Sequence, residues 1–197
     1  MDSSMDLLLS VCLGIGLSAA CGFRVFIPLL VLSGASIYGY VQLPPELAWM
    51  GTHTAFWAFG TAAVFEVAAY YIPWVDHLMD TIAGPAAAVA GALVMASTLT
   101  DMSPLLKWTL AVIAGGGSAA LVQGSTMLAR GISTTTTGGL GNPVVATGET
   151  AGAVILSLLA VVLPIVAALA ALGLIIFIAH KTFRILKKKR AGKSASA

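Results

Sequence analysis

Four charged side chains stand inside otherwise apolar stretches of this sequence: Arg24, Glu66, Arg130 and Glu149. Two bases and two acids at such positions suit the binding of a polar or ionic solute, because an ionisable group at membrane depth is costly unless it is paired or serves a path. Their order along the chain allows Arg24 to pair with Glu66 and Arg130 with Glu149, which would offset much of the burial cost. An unpaired Glu66 would be a candidate proton-coupling site. Arg130 also opens the stretch RGISTTTTGGLGNP, in which Thr134, Thr135, Thr136 and Thr137 precede Gly138, Gly139, Gly141 and Asn142. Threonine hydroxyls and glycine N–H groups can cradle an anion. Irregular backbone of this kind is tolerated at membrane depth only where protein or a water-filled cavity satisfies it. The plainer alternative is an exposed loop. Gln123 falls on the face of Arg130, so the candidate solute-binding or coupling set is Arg24, Glu66, Gln123, Arg130, Thr134 to Thr137, Asn142 and Glu149.

Other chemistry is sparse. Asp76, His77 and Asp80 are weak metal candidates in a short polar link. No Lys follows the glycines at phosphate-loop spacing, and neither HExxH nor a G-x-S-x-G elbow occurs. The expectation is therefore a protein that is not an enzyme and that has no cofactor. Cys12 and Cys21 sit nine residues apart in one apolar segment, about 13 Å along a straight helix, too far for a disulfide.

The elements that must position these residues are apolar helices. Hydrophobic residues make up 58% of the 197 and charged residues 9%, where a soluble domain carries roughly 25% charge. This composition predicts an all-α, polytopic transmembrane bundle of about five spans: Leu7–Ser33, Thr54–Ile72, Ile82–Leu99, Leu105–Ala129 and, within Ala151–Ala179, either one long bent span or a span joined to a partly interfacial segment. Discontinuous or re-entrant segments are expected near 22–40, where Arg24 and Pro28 interrupt the first span, and near 130–147. Pro85 is expected near a helix start, and Thr147 as an N-cap with Glu149 in the first turn beyond it.

Residues 1–180 form one membrane domain, with candidate halves 1–100 and 101–180. Ser18–Ala19–Ala20 recurs as Ser118–Ala119–Ala120, and an arginine follows each copy. Small residues at Gly14, Ser18 and Gly22 make a face suited to close helix packing and to a homo-oligomer. Seven of the ten Lys and Arg lie at or after Lys181. That basic tail, 181–197, is expected in the cytoplasm, on anionic lipid head groups. It is not a nucleic-acid surface, and the N-terminus has no basic region of the kind that opens a cleaved signal peptide.

The stretches GFRVFIPLL (Gly22–Leu30), DTIAGP (Asp80–Pro85) and VQGSTMLARGISTTTTGGLGNP (Val122–Pro143) resemble a family of small bacterial integral membrane proteins classed as a domain of unknown function. The resemblance covers nearly all the chain up to the tail and implies a multi-pass protein of the bacterial inner membrane. Arg24, Val25, Phe26, Ile27 and Pro28 are also partly similar to the arginine-phenylalanine-isoleucine-proline core of DedA-type membrane proteins. That second resemblance implies a lipid or ion transporter with re-entrant segments. One residue is inserted here, and the second arginine expected after the proline is missing from Leu29–Tyr38. Together these features lead to a transporter or channel-like protein for a small polar or ionic solute, or for a lipid. The alternative is a scaffold that binds partner helices and anionic lipid.

Overall fold

The computed structural model describes residues 3–100 and 102–194, with side chains described for all of these except 3, 73, 74, 76–78, 80, 179 and 181–194. The described residues form helices joined by turns and short irregular links, with no strand among them. In chain order the helices are α1 (Ser3–Cys21), α2 (Phe26–Ile37), α3 (His53–Ala69), α4 (Pro73–Thr98), α5 (Pro104–Leu110), α6 (Gly117–Thr137), α7 (Asn142–Val162) and α8 (Pro164–Ser194). A 3-10 turn, Pro45–Gly51, precedes α3, and a π-helical segment, Ala111–Gly116, joins α5 to α6. Among the described residues, four stretches are long and apolar enough to cross a membrane: Ser4–Cys21, Thr81–Thr98, Pro104–Thr137 and Asn142–Val162. Phe26–Ile37 and Pro164–Ile178 are shorter apolar helices. The protein is a multi-pass, all-α membrane protein.

Small residues set the helix order. Ser18 Oγ donates to the Gly91 carbonyl at 2.8 Å, while Gly14 lies against Met95 and Thr98, so α1 and α4 run antiparallel. Gly16 lies against Ala160, and Gly152 against Phe23, so α1 and α7 are antiparallel too. Gly91 and Gly115 meet backbone to backbone. A Cβ on either would come within 2.7 Å of the other's carbonyl oxygen, so α4 tolerates no side chain where it touches the π-helical segment. Helices can approach this closely only across residues without side chains.

The first apolar stretch is broken, and the break has a chemical cause. Gly22 and Phe23 N–H close the end of α1 on the Ala19 and Ala20 carbonyls. Four residues later α2 begins. Pro28 lies in its first turn, where the missing N–H costs least, so it helps to start a helix rather than kink one. Gly34 of α2 lies against Phe56, and Val25 and Phe26 are bonded by Glu66, so α3 runs antiparallel to α2. Glu46, just beyond α2, pairs with Lys107 in α5. α5 begins directly after α4, whose last turn lies beside Gly14. α2 therefore folds back toward the end of the bundle from which α1 starts. Its 12 residues span about 18 Å, against roughly 30 Å for a hydrocarbon core.

Three expectations need correction. Pro85 lies inside α4, because that helix starts at Pro73, about two and a half turns earlier than the purely apolar segment suggests. Thr147 is not an N-cap: α7 starts at Asn142, and Thr147 Oγ1 donates to the Pro143 carbonyl within it. Ala151–Ala179 is not one bent span, because α7 ends at Val162 and α8 starts at Pro164. A Cβ on Gly16 would lie 2.9 Å from the Ala160 Cβ and 3.0 Å from the Ala167 Cβ. Those two methyls therefore lie within about 6 Å of each other, where a continuous helix would separate them by about 10.5 Å. The chain turns sharply at Leu163.

Candidate functional site

The site assembles where α1 breaks. Arg24 occupies the gap between α1 and α2, so its side chain leaves from non-helical backbone and reaches across to α7. Nε donates to Thr150 Oγ1 at 3.1 Å and Nη2 to the Ala146 carbonyl at 3.0 Å. Nη1 stands 3.3 Å from Glu149 Oε2, within ion-pair range but without a hydrogen bond. Arg130 reaches the same carboxylate from α6. Its Nε donates to Oε1 at 3.1 Å and its Nη2 to Oε2 at 2.8 Å. This is the two-pronged geometry that a planar guanidinium makes well. Both guanidinium carbons also stand over the Tyr70 ring, 4.0 and 4.1 Å from its centroid, where the ring's negative face attracts them. Both arginines are 1% exposed and Glu149 is 4% exposed.

Glu66 plays a different part. Its Oε1 accepts from Val25 N–H at 2.7 Å, and Oε2 accepts from Phe26 N–H at 3.0 Å. A carboxylate from α3 thus does for α2 what an N-cap side chain ordinarily does from within the chain. It satisfies two of the orphan donors and meets the positive end of the helix dipole. The sequence-based pairing is half right. Arg130 meets Glu149 as the order along the chain allows, but Arg24 joins the same glutamate rather than Glu66. The reason is packing: α1 and α7 are neighbours, which brings Arg24 to Glu149, and the helix N-terminus claims both oxygens of Glu66.

The threonine run lies apart from these charges. Thr134–Thr137 close α6, and Gly138 ends it with φ of 65°, a conformation that glycine adopts without strain. The break in this stretch is confined to residues 138–141. Thr135 donates to the Gly131 and Ile132 carbonyls, Thr136 to those of Ile132 and Ser133, and Thr137 to that of Ser133. Gly141 N–H donates to Thr137 Oγ1 at 2.9 Å, and Asn142 Nδ2 donates to Thr134 Oγ1 at 3.0 Å. Thr135, Thr136 and Thr137 are exposed. Their hydroxyls serve their own helix and turn. Gln123 is buried about two turns beyond the π-helical segment, at 2% exposure, and its Nε2 has no hydrogen-bond partner. The side chains of Asp76, His77 and Asp80, the weak metal candidates, lie outside the described residues.

Two members of the site escaped the sequence reading. Tyr70, at the end of α3, is 3% exposed and carries both arginines. A signal existed, since Tyr70 follows Glu66 by four residues and so shares its helix face. Thr150 carried no such signal; its hydroxyl matters only because α7 passes Arg24. Beyond the cluster, Tyr71 OH and Thr147 Oγ1 lie 2.7 Å apart and tie the end of α3 to α7.

The chain belongs to the family described as Domain of unknown function (DUF4126), whose model matches residues 11–184. No curated protein and no solved structure matches it.

Proposed function

We propose that this DUF4126 protein is a small transporter or channel-like protein, and that its solute is a small anion. The observation behind this reading is the convergence of two buried arginines on one carboxylate. Two guanidiniums share the one carboxylate of Glu149, and Arg24 Nη1 is left with no hydrogen bond. A carboxylate-like group would satisfy that nitrogen, and Glu149 would then act as the internal occupant that a solute displaces. The short α2, folding back beside α1, is read as a re-entrant segment, with Glu66 holding its N-terminus at membrane depth. This is one established way to place helix ends where a solute meets them. On this reading the protein is not an enzyme, lies in a bacterial inner membrane and presents its basic tail to cytoplasmic anionic lipid.

A scaffold reading has an observation of its own. The threonines that could have extended a polar path are exposed and bonded to their own helix, and the charged cluster is closed by protein on every described side. In that case the arginines only fix helix positions, and the small-residue faces serve partner helices or a second copy.

Flux separates the two. Reconstituted in liposomes, the wild-type chain should carry small anions well above protein-free vesicles. Arg24→Gln should lower that flux about tenfold or more at equal folded yield. Absence of flux in a folded wild type, with Arg24→Gln altering stability alone, would establish the scaffold reading instead.

A further inference from the structure

The charged cluster makes no use of a groove that runs between α4 and the start of α2, with a volume of about 610 Å³. Its α4 wall is one stripe at helical spacing, Ile82, Pro85, Ala86, Val89, Ala90 and Leu93, with Thr81 at its head. Val25 and Leu29, one turn apart, form the facing wall. Thr81 is the one polar residue of this lining. Ile82 and Val89 are more than half exposed, whereas Val25, Leu29 and Ala90 are buried. The first two form the rim and the other three the floor.

Position and size name the occupant. Thr81 opens the stretch of α4 that is apolar enough to cross a membrane, and the polar residues Asp76, His77 and Asp80 precede it in sequence. The groove thus begins at a membrane surface. From Thr81 to Leu93 it extends about 18 Å, close to one leaflet of a hydrocarbon core roughly 30 Å thick. Over that length its volume corresponds to a width of about 6–7 Å, where a helix with its side chains is roughly 10–12 Å wide. A helix of a second copy can lie across the groove but not in it. Water there would meet no polar side chain besides Thr81, and an empty groove would forfeit dispersion contacts along both walls. We propose that the groove seats one acyl chain of a membrane phospholipid, with the head group at the Thr81 end and the chain running to Leu93. The chain lies against Val25, whose N–H is bonded to Glu66, so the lipid props the same segment that Glu66 ties down. The seat does not depend on the transport reading.

The test uses the full chain in vesicles of palmitoyl-oleoyl phosphatidylcholine. A trace of the same lipid carries a photoreactive diazirine midway along one chain. Irradiation expels nitrogen, the carbene inserts into a neighbouring C–H or O–H bond, and labelled peptides are read by mass spectrometry. Residues 81–93 should be labelled about fivefold more than the exposed side of α7 around Ile155 and Leu158. Ala86→Phe fills the groove midway and should bring the α4 labelling down to the level of α7, with α7 itself unchanged. Equal labelling of α4 and α7 in wild type overturns the seat, and so does an Ala86→Phe variant that keeps the wild-type ratio. Should that variant fail to fold, Val89→Trp takes its place with the same expectations, since Val89 is 60% exposed on the rim. Labelling of 81–93 by a diazirine fatty acid but not by the phospholipid would overturn the assignment in favour of a free acid. A disulfide between two copies of Val89→Cys, with no lipid label on 81–93 in wild type, would put a second copy there instead.

Discussion

Two ion pairs in this molecule look alike on paper and differ in how far water reaches their carboxylates. Lys107 and Glu46 join α5 to the 3-10 turn before α3, with the carboxylate about half exposed. Arg130 and Glu149 join α6 to α7, with a second arginine and a tyrosine ring completing the group, and none of the three charges reaches solvent. In the first, water screens the carboxylate and would replace its partner, while the Lys107 side chain is buried and relies on Glu46. In the second, nothing but the partners themselves offsets the burial of charge. What a charge does here is decided by whether the surroundings can substitute for its partner.

The sharpest way to break that contrast is Glu149→Ala. It strands two buried guanidiniums at once and should cost about 3–5 kcal/mol or more, read as loss of monodisperse protein and a lower unfolding temperature in detergent. A loss no greater than that of a surface charge would mean that water reaches the cluster. Glu66→Ala should rank second, at about 1–2 kcal/mol, the range for losing an N-cap. Its signature is local: amides of α2 should exchange hydrogen faster while those of α4 and α7 do not. The smallest effect belongs to Glu46→Gln. The Lys107 ammonium bonded to Glu46 holds this carboxyl below its ordinary range. The pair's contribution is therefore present above the unfolded carboxyl's pKa and is lost as pH falls through the depressed folded one. Glu46→Gln should flatten that acidic limb of an unfolding-temperature profile and lower the unfolding temperature at neutral pH by the least of the three variants.

The sequence made some of this legible and hid the rest for identifiable reasons. Helical class, the break near Arg24 and the burial of all four charges followed from composition and from isolated ionisable residues in apolar runs. Arg24's partner did not, because sequence order favours Glu66 while the α1–α7 contact, made through Gly16 and Gly152, favours Glu149. The threonine run misled for another reason. Four consecutive threonines read as irregular backbone, yet in the helix the hydroxyls of Thr135, Thr136 and Thr137 bond to carbonyls three and four residues back and so become part of it. Glu66 was marked correctly as buried. Its work as a cap from another helix could not be seen, since nothing local to Phe26 announces it.

The π-helical segment has a consequence for counting. A helix advances about 100° per residue, and one wide turn at Ala111–Gly116 holds roughly one residue more than an α-turn would. Everything after it, Gln123 and Arg130 included, is phased by that surplus. A chain one residue shorter between Pro104 and Gly117 would keep its composition, its hydropathy and its length of span, and would aim Arg130 about 100° away from Glu149. Among homologous sequences, a gap opened at these glycines in an alignment is thus a rotation of the downstream helix, and residues after it should be compared by the direction they face rather than by the column they occupy.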